Sequence, residues 1–286
     1  MNSTHEQPTD TVRMTPRLLW FLRILIVVQS LGYAAKLVSP SSLNSFLLAS
    51  MGDPFVTNLD DSVRIFLWLA CLALLVIGLL NPAPASPTRR LDFSLLALLG
   101  GWSFLLAILS WVVNPGNPFH ATDPYGHAAR YLAPVALILL LSRKGTAWEG
   151  RIEWILRWGV AGTFLGHGLC ALWLKPSFID LIVGTLDLFL GDDPSAYASR
   201  EAFALLALPV IAIQDFILVA LLLLPGRRIR TVALWMAAWG FVTALSRMTA
   251  YGWDHWYDLA LRACNGGIPL LLYFYWKSSA PKDKPS

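Results

Sequence analysis

The residues of this sequence whose types could do chemistry are ionisable side chains inside long apolar segments, and His167 is the first of them. It lies in the glycine-rich stretch 159–168, where the spacing of Gly162 and Gly166 lets a neighbouring helix approach closely. A histidine in such a place can transfer a proton or donate a hydrogen bond to a carbonyl oxygen. A histidine that bonds across helices for packing alone would have the same surroundings. We therefore take His167 as the candidate catalytic residue and keep the packing role open.

A second group of polar residues lies near the end of the chain. Arg262 and Asn265 are three residues apart, so they share one face of a helix. Arg247 precedes an aromatic loop at 251–257, which also contains Asp254. Arginine supplies fixed donors to oxygen, and aromatic side chains can cover a bound molecule. These four residues, together with His167, predict a ligand-binding pocket for an anionic or quinone-like head group.

The same residues also fit a structural arrangement without a ligand. Arg247 can pair with Asp254 or with Asp258 across the short loop. The aromatic side chains can form an ordinary belt at a membrane interface, where one edge of the ring is apolar and the other is hydrated. The sequence leaves both interpretations open.

The first half of the chain has polar residues at matching places. Tyr33, His127 and Arg130 are the candidates for ligand binding there, and His120 lies one heptad before His127. They predict either a second, divergent site or the remains of one whose chemistry passed to the other copy.

Motifs of other cofactor sites are absent. The sequence contains no Walker loop, dinucleotide fingerprint, nucleophile elbow or zinc-protease motif. His120 belongs to a loop rich in proline and glycine, and no two histidines are spaced i, i+4, so neither metal nor haem is expected. Cys71, Cys170 and Cys264 lie inside apolar stretches without a C-x-x-C pair, so neither a disulfide framework nor dithiol chemistry is expected.

Composition places these residues in a membrane protein. Of the 286 residues, 56% are hydrophobic and only 14% are charged, and the chain has 13 tryptophans. The mean hydropathy is +0.56, whereas soluble domains have about 25% charged residues. The net charge of +4 comes from short basic clusters beside apolar runs, which topology explains better than nucleic-acid binding. We expect membrane lipid and no nucleic acid as a partner.

The apolar runs predict an all-α integral membrane protein with eight transmembrane helices. The predicted spans are 18–38, 63–80, 92–113, 125–142, 153–174, 203–224, 229–250 and 257–276. The first span has no small-residue cleavage site after it, so we expect it to stay in the mature protein rather than act as a cleaved signal peptide.

The basic residues predict the orientation. Every second connection is basic, and lysine and arginine are retained on the cytoplasmic side, so both termini are expected in the cytoplasm of an inner-membrane protein. These basic segments contain Arg13 and Arg17; Arg89 and Arg90; Arg143, Lys144 and Arg151; Arg227, Arg228 and Arg230; and Lys277, Lys282 and Lys284. The remaining connections, including the long segments 39–62 and 175–202, are then expected to face outward.

The two halves of the chain resemble each other. Arg23 is followed by Gly32 and Tyr33 at the same spacing at which Arg157 is followed by Gly166 and His167. A second match pairs His127, Arg130 and Pro134 with Arg262, Asn265 and Pro269. Since each half begins and ends on the same side, we expect two parallel four-helix repeats, although chance similarity between apolar helices would give a weaker form of this pattern. The predicted organisation is an N-terminal tail at 1–17, units at 18–142 and 153–276, a linker at 143–152 and a C-terminal tail at 277–286.

Each half resembles the DoxX family of small four-helix membrane proteins. The shared pattern is an arginine before a glycine-containing face in the first helix, a turn marked by glycine or proline and then arginine after the second, and a polar start to an apolar fourth helix. Here these features are Arg23 with Gly32 and Arg157 with Gly166; Gly78 to Arg89 and Leu224 to Arg230; and Arg130 to Leu141 and Asn265 to Tyr273.

The resemblance implies a four-helix bundle for each unit and, for some members, quinone reduction coupled to sulfur oxidation or association with redox enzymes. This chain differs in being a fused tandem without paired cysteines. We therefore expect a redox-associated protein that binds a quinone or another lipid-soluble ligand, with redox-complex subunits as possible partners. The alternatives are a non-enzymatic assembly factor or accessory subunit, or a small-solute transporter.

Overall fold

The computed structural model describes residues 14–37, 41–51, 57–83, 85–142, 149–225 and 228–278. Over these ranges the fold is all-α, and the described residues contain no β-strand. In chain order the helices are α1 (Pro16–Lys36), α2 (Ser42–Met51), α3 (Thr57–Leu80), α4 (Pro87–Val113), α5 (Pro118–Ala121), α6 (Asp123–Gly126), α7 (Ala128–Ser142), α8 (Glu149–Leu172), α9 (Pro176–Leu190), α10 (Tyr197–Leu222), α11 (Arg230–Tyr251), α12 (Trp256–Ala260) and α13 (Ala263–Ser278). Single 3-10 turns at Pro194–Ala196 and Trp253–His255 precede α10 and α12.

Capping residues determine where two of the long helices begin. The side chain of Thr15 accepts a hydrogen bond from the backbone nitrogen of Leu18 at 3.4 Å, and a proline opens α1. Ser86 does the same for Arg89 at the start of α4, at 3.1 Å, again with a proline next. The hydroxyl satisfies one free N–H of the first turn, where proline needs no donor. Arg23 and Asp92 lie in the second or third turn after these starts.

Five of the described helical segments are long and apolar enough to cross a membrane. They are Pro16–Lys36, Leu59–Leu80, Pro87–Val113, Gly150–Leu172 and Pro194–Leu222. They correspond to the first, second, third, fifth and sixth predicted spans. Membrane-spanning helices therefore account for the composition of the chain.

The other three predicted spans differ from that simple form. The fourth is interrupted at His127, which separates α6 from the 15 residues of α7. The eighth is interrupted at residues 261–262, and α13 has 16 residues. Helices α7 and α13 are therefore shorter than the roughly 20 residues that a transmembrane helix needs to cross a bilayer. The seventh, α11, has 22 residues, but its Ser, Thr and Trp side chains make it less apolar than the five candidate spans.

The two long connections that were expected to face outward contain helices. Segment 39–62 includes α2, which packs against α4. Segment 175–202 includes α9, which packs against α10 and α11. The α9 segment is apolar along most of its length, so burial against those two helices stabilises it.

One apolar core connects the two predicted units. Its fully buried members include Leu22, Ile26, Leu96, Leu137, Leu156, Met236, Ile268 and Leu271, which come from both halves of the chain. α1 packs against α3, α7, α12 and α13, and α8 packs against α6, α7, α10 and α13. Residues 1–13, 143–148 and 279–286, which hold most of the predicted tails and linker, lie outside the described residues.

A buried ion pair joins α1 to α4. The guanidinium of Arg23 donates to both carboxylate oxygens of Asp92, at 2.7 and 2.8 Å, and to the carbonyl oxygen of Leu74 at 2.9 Å. Arg89 donates to the same carboxylate at 3.1 Å. Asp92 is fully buried and the Arg23 side chain is 5% exposed. Because both arginines share this carboxylate and its hydrogen bonds, the cost of burying the cluster is reduced.

A second charge network lies at the same end of the bundle. Glu153 accepts hydrogen bonds from Arg157 at 2.6 Å, Arg228 at 2.8 Å and the indole nitrogen of Trp276 at 2.9 Å. We call this end of the bundle the carboxylate end. The other is the histidine end, because it holds the described histidines His120, His127, His167 and His255.

Removing one partner of the Arg23 pair should be costly. Asp92→Ala leaves two buried arginines without their counter-charge, so we expect the free energy of unfolding to fall by about 3–5 kcal/mol. Thermal or denaturant unfolding in mild detergent measures this change. The control Asp61→Ala removes an exposed carboxylate and should change stability by about 0.5 kcal/mol or less. Equal effects of the two substitutions would contradict the role of the buried pair.

Candidate functional site

The predicted site residues fall into two groups at the histidine end. His167, Arg247 and Asn265 line one cavity of about 210 Å³ between α8, α9, α10, α11 and α13. Tyr33 and Arg130 lie instead where α1 meets α7, and Arg262 lies where α1 meets the break between α12 and α13. The structure therefore brings together three of the predicted residues in a cavity and places the others outside its lining.

The cavity has mostly apolar walls. Its apolar lining consists of Phe164, Phe178, Leu181, Ile182, Leu208, Ile211, Trp239 and Val242. α9 supplies three of these side chains and packs over α10 and α11. An apolar wall with a few convergent polar groups is the usual form of a small-molecule site.

Close packing of α11 on α13 positions one of the polar residues. A Cβ atom at Gly240 would lie 2.7 Å from the carbonyl oxygen of Asn265, so only glycine allows this approach. Asn265 is 2% exposed, and its side-chain oxygen has no hydrogen-bond partner. A buried amide oxygen without a partner costs free energy, so a donor from a bound molecule would stabilise it.

Arg247 and His167 complete the polar side of the cavity. The guanidinium of Arg247 is buried and donates to the carbonyl oxygen of Thr243 in its own helix. Among the described residues, no carboxylate oxygen lies close enough to the Arg247 guanidinium, within 4 Å, to form an ion pair. His167 makes an edge contact with the ring of Phe178, with ring centroids 6.2 Å apart. Both side chains therefore keep hydrogen-bonding capacity for a molecule in the cavity.

Asp215 is a cavity residue that the sequence reasoning missed. It comes from α10, is 3% exposed, and its Oδ1 atom has no hydrogen-bond partner. A Cβ atom at Gly168 would lie 3.2 Å from the Cβ atom of Asp215, so this carboxyl group sits beside the segment that carries His167. The signal was present in the sequence: Asp215 is an ionisable residue in the middle of the apolar run 203–224.

Beside the cavity lies a group that we call the cation cluster, made up of Lys36, Arg130 and Arg262. The Nζ atom of Lys36 lies 3.2 Å from Asp258, and Arg262 donates to the same carboxylate oxygen at 2.8 Å. His255 lies 3.4 Å from the second oxygen of Asp258. Asp258 therefore binds two cations and is not the partner of Arg247.

The remaining predicted residues are placed around this cluster. Arg130 is 2% exposed and donates to the hydroxyl oxygen of Tyr33 at 3.5 Å. The Nε2 atom of His127 lies 3.9 Å from Asp123. Asp254 is exposed in the 3-10 turn and does not line the cavity.

A spacing pattern of histidine and aspartate occurs twice at this end. Residues 120–134 and 255–269 both follow H-x2-D-x3-[HR]-x2-[RN]-x3-P. In the first, His120 lies 3.2 Å from Asp123, which also accepts a hydrogen bond from Ser110 at 2.6 Å. The second has the corresponding contact between His255 and Asp258. The predicted similarity between the two halves of the sequence includes only the later positions of this pattern, because His120 and His255 lie in segments predicted to be loops.

The two aspartates should differ in their contribution to stability. Asp258→Asn leaves Lys36 and Arg262 without their shared counter-charge, so we expect a loss of about 2–3 kcal/mol. Asp123→Asn is the matched control. Its partners are a hydroxyl and two histidines, which an amide oxygen can also bind, so a loss of about 1 kcal/mol or less is expected. Unfolding of both variants in mild detergent measures the difference, and a larger loss in Asp123→Asn would contradict it.

Comparison with protein families, characterised proteins and solved structures gave no match. The cavity offers an apolar wall with proton-exchanging and oxygen-binding groups, and the neighbouring cluster offers an excess of positive charge.

Proposed function

We propose that this chain is a DoxX-like, multi-pass inner-membrane protein that binds a quinone or a similar lipid-soluble ligand in the cavity at the histidine end. The single observation that carries the proposal is the convergence of His167, Asp215, Arg247 and Asn265 on one apolar-walled cavity. Ionisable groups are costly inside a membrane protein, and they mark functional sites by default.

The size and lining of the cavity suit the head group of such a ligand. A cavity of about 150 Å³ is enough to bind a benzene ring, and this one holds about 210 Å³. A substituted six-membered ring fits that volume, and its tail would lie along the apolar helix surfaces. Arg247 is a fixed donor for one ring oxygen, and His167 is a donor or acceptor for the other.

The proposed role is association with redox chemistry, for which the residues supply protons. Reduction of a quinone to a quinol consumes two electrons and two protons. His167 on α8 and Asp215 on α10 border the cavity and can each exchange a proton with a ring oxygen. The electrons would come from a partner redox subunit. Cys71, Cys170 and Cys264 are buried and unpaired, so dithiol chemistry within this chain is not part of the proposal.

The proposal includes two parallel four-helix repeats with eight membrane crossings. It is supported by the packing, because α1 packs on α3 as α8 packs on α10, and α4 packs on α7 as α11 packs on α13. Across the halves, α1 packs on α12 as α8 packs on α6. The repeated histidine–aspartate spacing adds a second correspondence. These correspondences are the ones expected of repeats related by an axis along the membrane normal.

Ligand binding should depend on His167. His167→Ala should abolish the rise in the thermal unfolding midpoint that a short-chain quinone produces, because a hydrogen bond to the head group is lost. His120→Ala is the matched control, since His120 contacts Ser110 and Asp123 outside the cavity, and it should keep the full response.

The unfolding experiment, together with purification from native membranes, distinguishes a quinone-binding protein from an accessory subunit. An unchanged quinone response in His167→Ala would refute the role of this residue. A wild-type protein that shows no quinone response but retains a stoichiometric protein partner from native membranes would favour an accessory subunit.

The orientation can be tested by cysteine labelling. Asp254→Cys should react with a membrane-impermeant maleimide added outside intact cells, because the position is exposed at the histidine end. Arg90→Cys, exposed near the carboxylate end, should react only after the membrane is permeabilised. The three native cysteines are buried and should give little background. The reverse labelling pattern would place both termini outside.

A further inference from the structure

The cation cluster has more positive charge than its surroundings neutralise. Lys36, Arg130 and Arg262 carry three positive charges, and among the described residues Asp258 is the one carboxylate within ion-pair distance of any of them. Two positive charges are therefore left over. Arg247, the buried arginine of the adjacent cavity, adds a further charge that repels Arg262.

These side chains are held near each other by close helix packing. A Cβ atom at Gly32 would lie 2.3 Å from the backbone nitrogen of Leu261, so α1 rests directly on the chain beside Arg262. Tyr33, the next residue of α1, accepts the hydrogen bond from Arg130, and Lys36 follows one turn later. Arg130 and Arg262 consequently interact electrostatically with each other.

Arg130 is the member of the cluster that most needs a partner. It is 2% exposed, its one described side-chain hydrogen bond is the 3.5 Å contact to Tyr33, and its Nε atom is buried without a partner. The Nε atom of Arg262 is also buried and unpartnered. An unpaired buried charge costs several kcal/mol, so this arrangement is unfavourable unless an anion is bound.

We propose that a phosphate-type oxyanion binds in this cluster, between Arg130 and Arg262. A guanidinium presents a planar set of donors that matches the oxygens of phosphate, and two such groups with a lysine are a recurrent way to bind it. The leftover positive charge can be neutralised wholly or in part by a free phosphate or by the phosphodiester of a lipid head group, both of which are anionic. Neither the quinone nor the proton-exchanging residues enter this proposal, so it is independent of the proposed function.

The position of the cluster leaves two sources for the phosphate group. The Lys36 side chain is 50% exposed, so the cluster reaches the surface at the histidine end, where both water and lipid head groups are found. The group can therefore belong to a free phosphate or to the head group of an anionic lipid. The chemistry of recognition is the same in both cases.

The test uses the full chain in neutral detergent at constant ionic strength. Sodium phosphate and phosphatidylglycerol are titrated separately, with sodium chloride and phosphatidylcholine as the matched controls, and the thermal unfolding midpoint is followed. We expect phosphate or phosphatidylglycerol to raise the midpoint, with the responsive compound identifying the source. Arg130→Gln should weaken that binding by roughly tenfold or more. Arg90→Gln, which removes an exposed arginine, should bind as the wild type does.

A second measurement distinguishes anion binding from a structural role of Arg130. In buffer without phosphate or anionic lipid, Arg130→Gln should unfold at the same or a higher temperature than the wild type, because it removes an uncompensated buried charge. A structural role would make it unfold at a lower temperature under those conditions. The proposal is overturned if neither phosphate nor phosphatidylglycerol acts on the wild type, or if Arg130→Gln responds as the wild type does. His167→Ala should keep the phosphate response, which separates this site from the quinone site.

Discussion

An ionised side chain inside this helical bundle has little water around it, so it needs an opposite charge or a set of hydrogen bonds. At the carboxylate end, carboxylates of the chain meet most of that requirement, although the Nε atom of Arg89 is buried without a hydrogen-bond partner. Arg23 and Arg89 share Asp92, and Glu153 accepts from two arginines and an indole. These contacts connect α1 to α4 and α8 to α13, so they also hold the bundle together at that end.

The histidine end departs from the same rule. Asp258 neutralises part of the charge of Lys36 and Arg262, whereas Arg130 and Arg247 have no carboxylate partner among the described residues. Asp215 and Asn265 each present a buried oxygen without a donor. Unmet hydrogen-bonding capacity of this kind, on several polar groups around one cavity, is what a site needs to bind a ligand.

Close approach between helix backbones brings the polar residues of the histidine end together. Gly240 brings α11 against α13 at Asn265, and Gly32 brings α1 against the break before α13. The breaks at His127 and at residues 261–262 turn the chain just where the polar residues lie. A discontinuous helix exposes polar groups toward a cavity more readily than a straight one. In the proposed duplication, the two copies differ here because His127 of the first corresponds to Arg262 of the second.

Hydropathy and residue spacing by themselves determined that this is an all-α protein with membrane-spanning helices, and they also selected the polar residues of the histidine end. His167, Arg247 and Asn265 were predicted to lie together, and they do line one cavity. These properties follow from single residues and from intervals along one helix, which is local information.

Which polar groups actually meet was decided only by the tertiary structure. Arg262 and Asn265 are three residues apart, yet they have different surroundings because the helix is interrupted at residues 261–262. Arg262 contacts Asp258, which also pairs with Lys36, whereas Asn265 lines the cavity. Asp215 lines the cavity because α10 packs against α8 beside Gly168. Helix α9 forms one wall of the cavity, in a segment that was predicted to be a loop. Such contacts depend on the rotation of each helix about its axis and on the distance between helices, which spacing along the sequence does not specify.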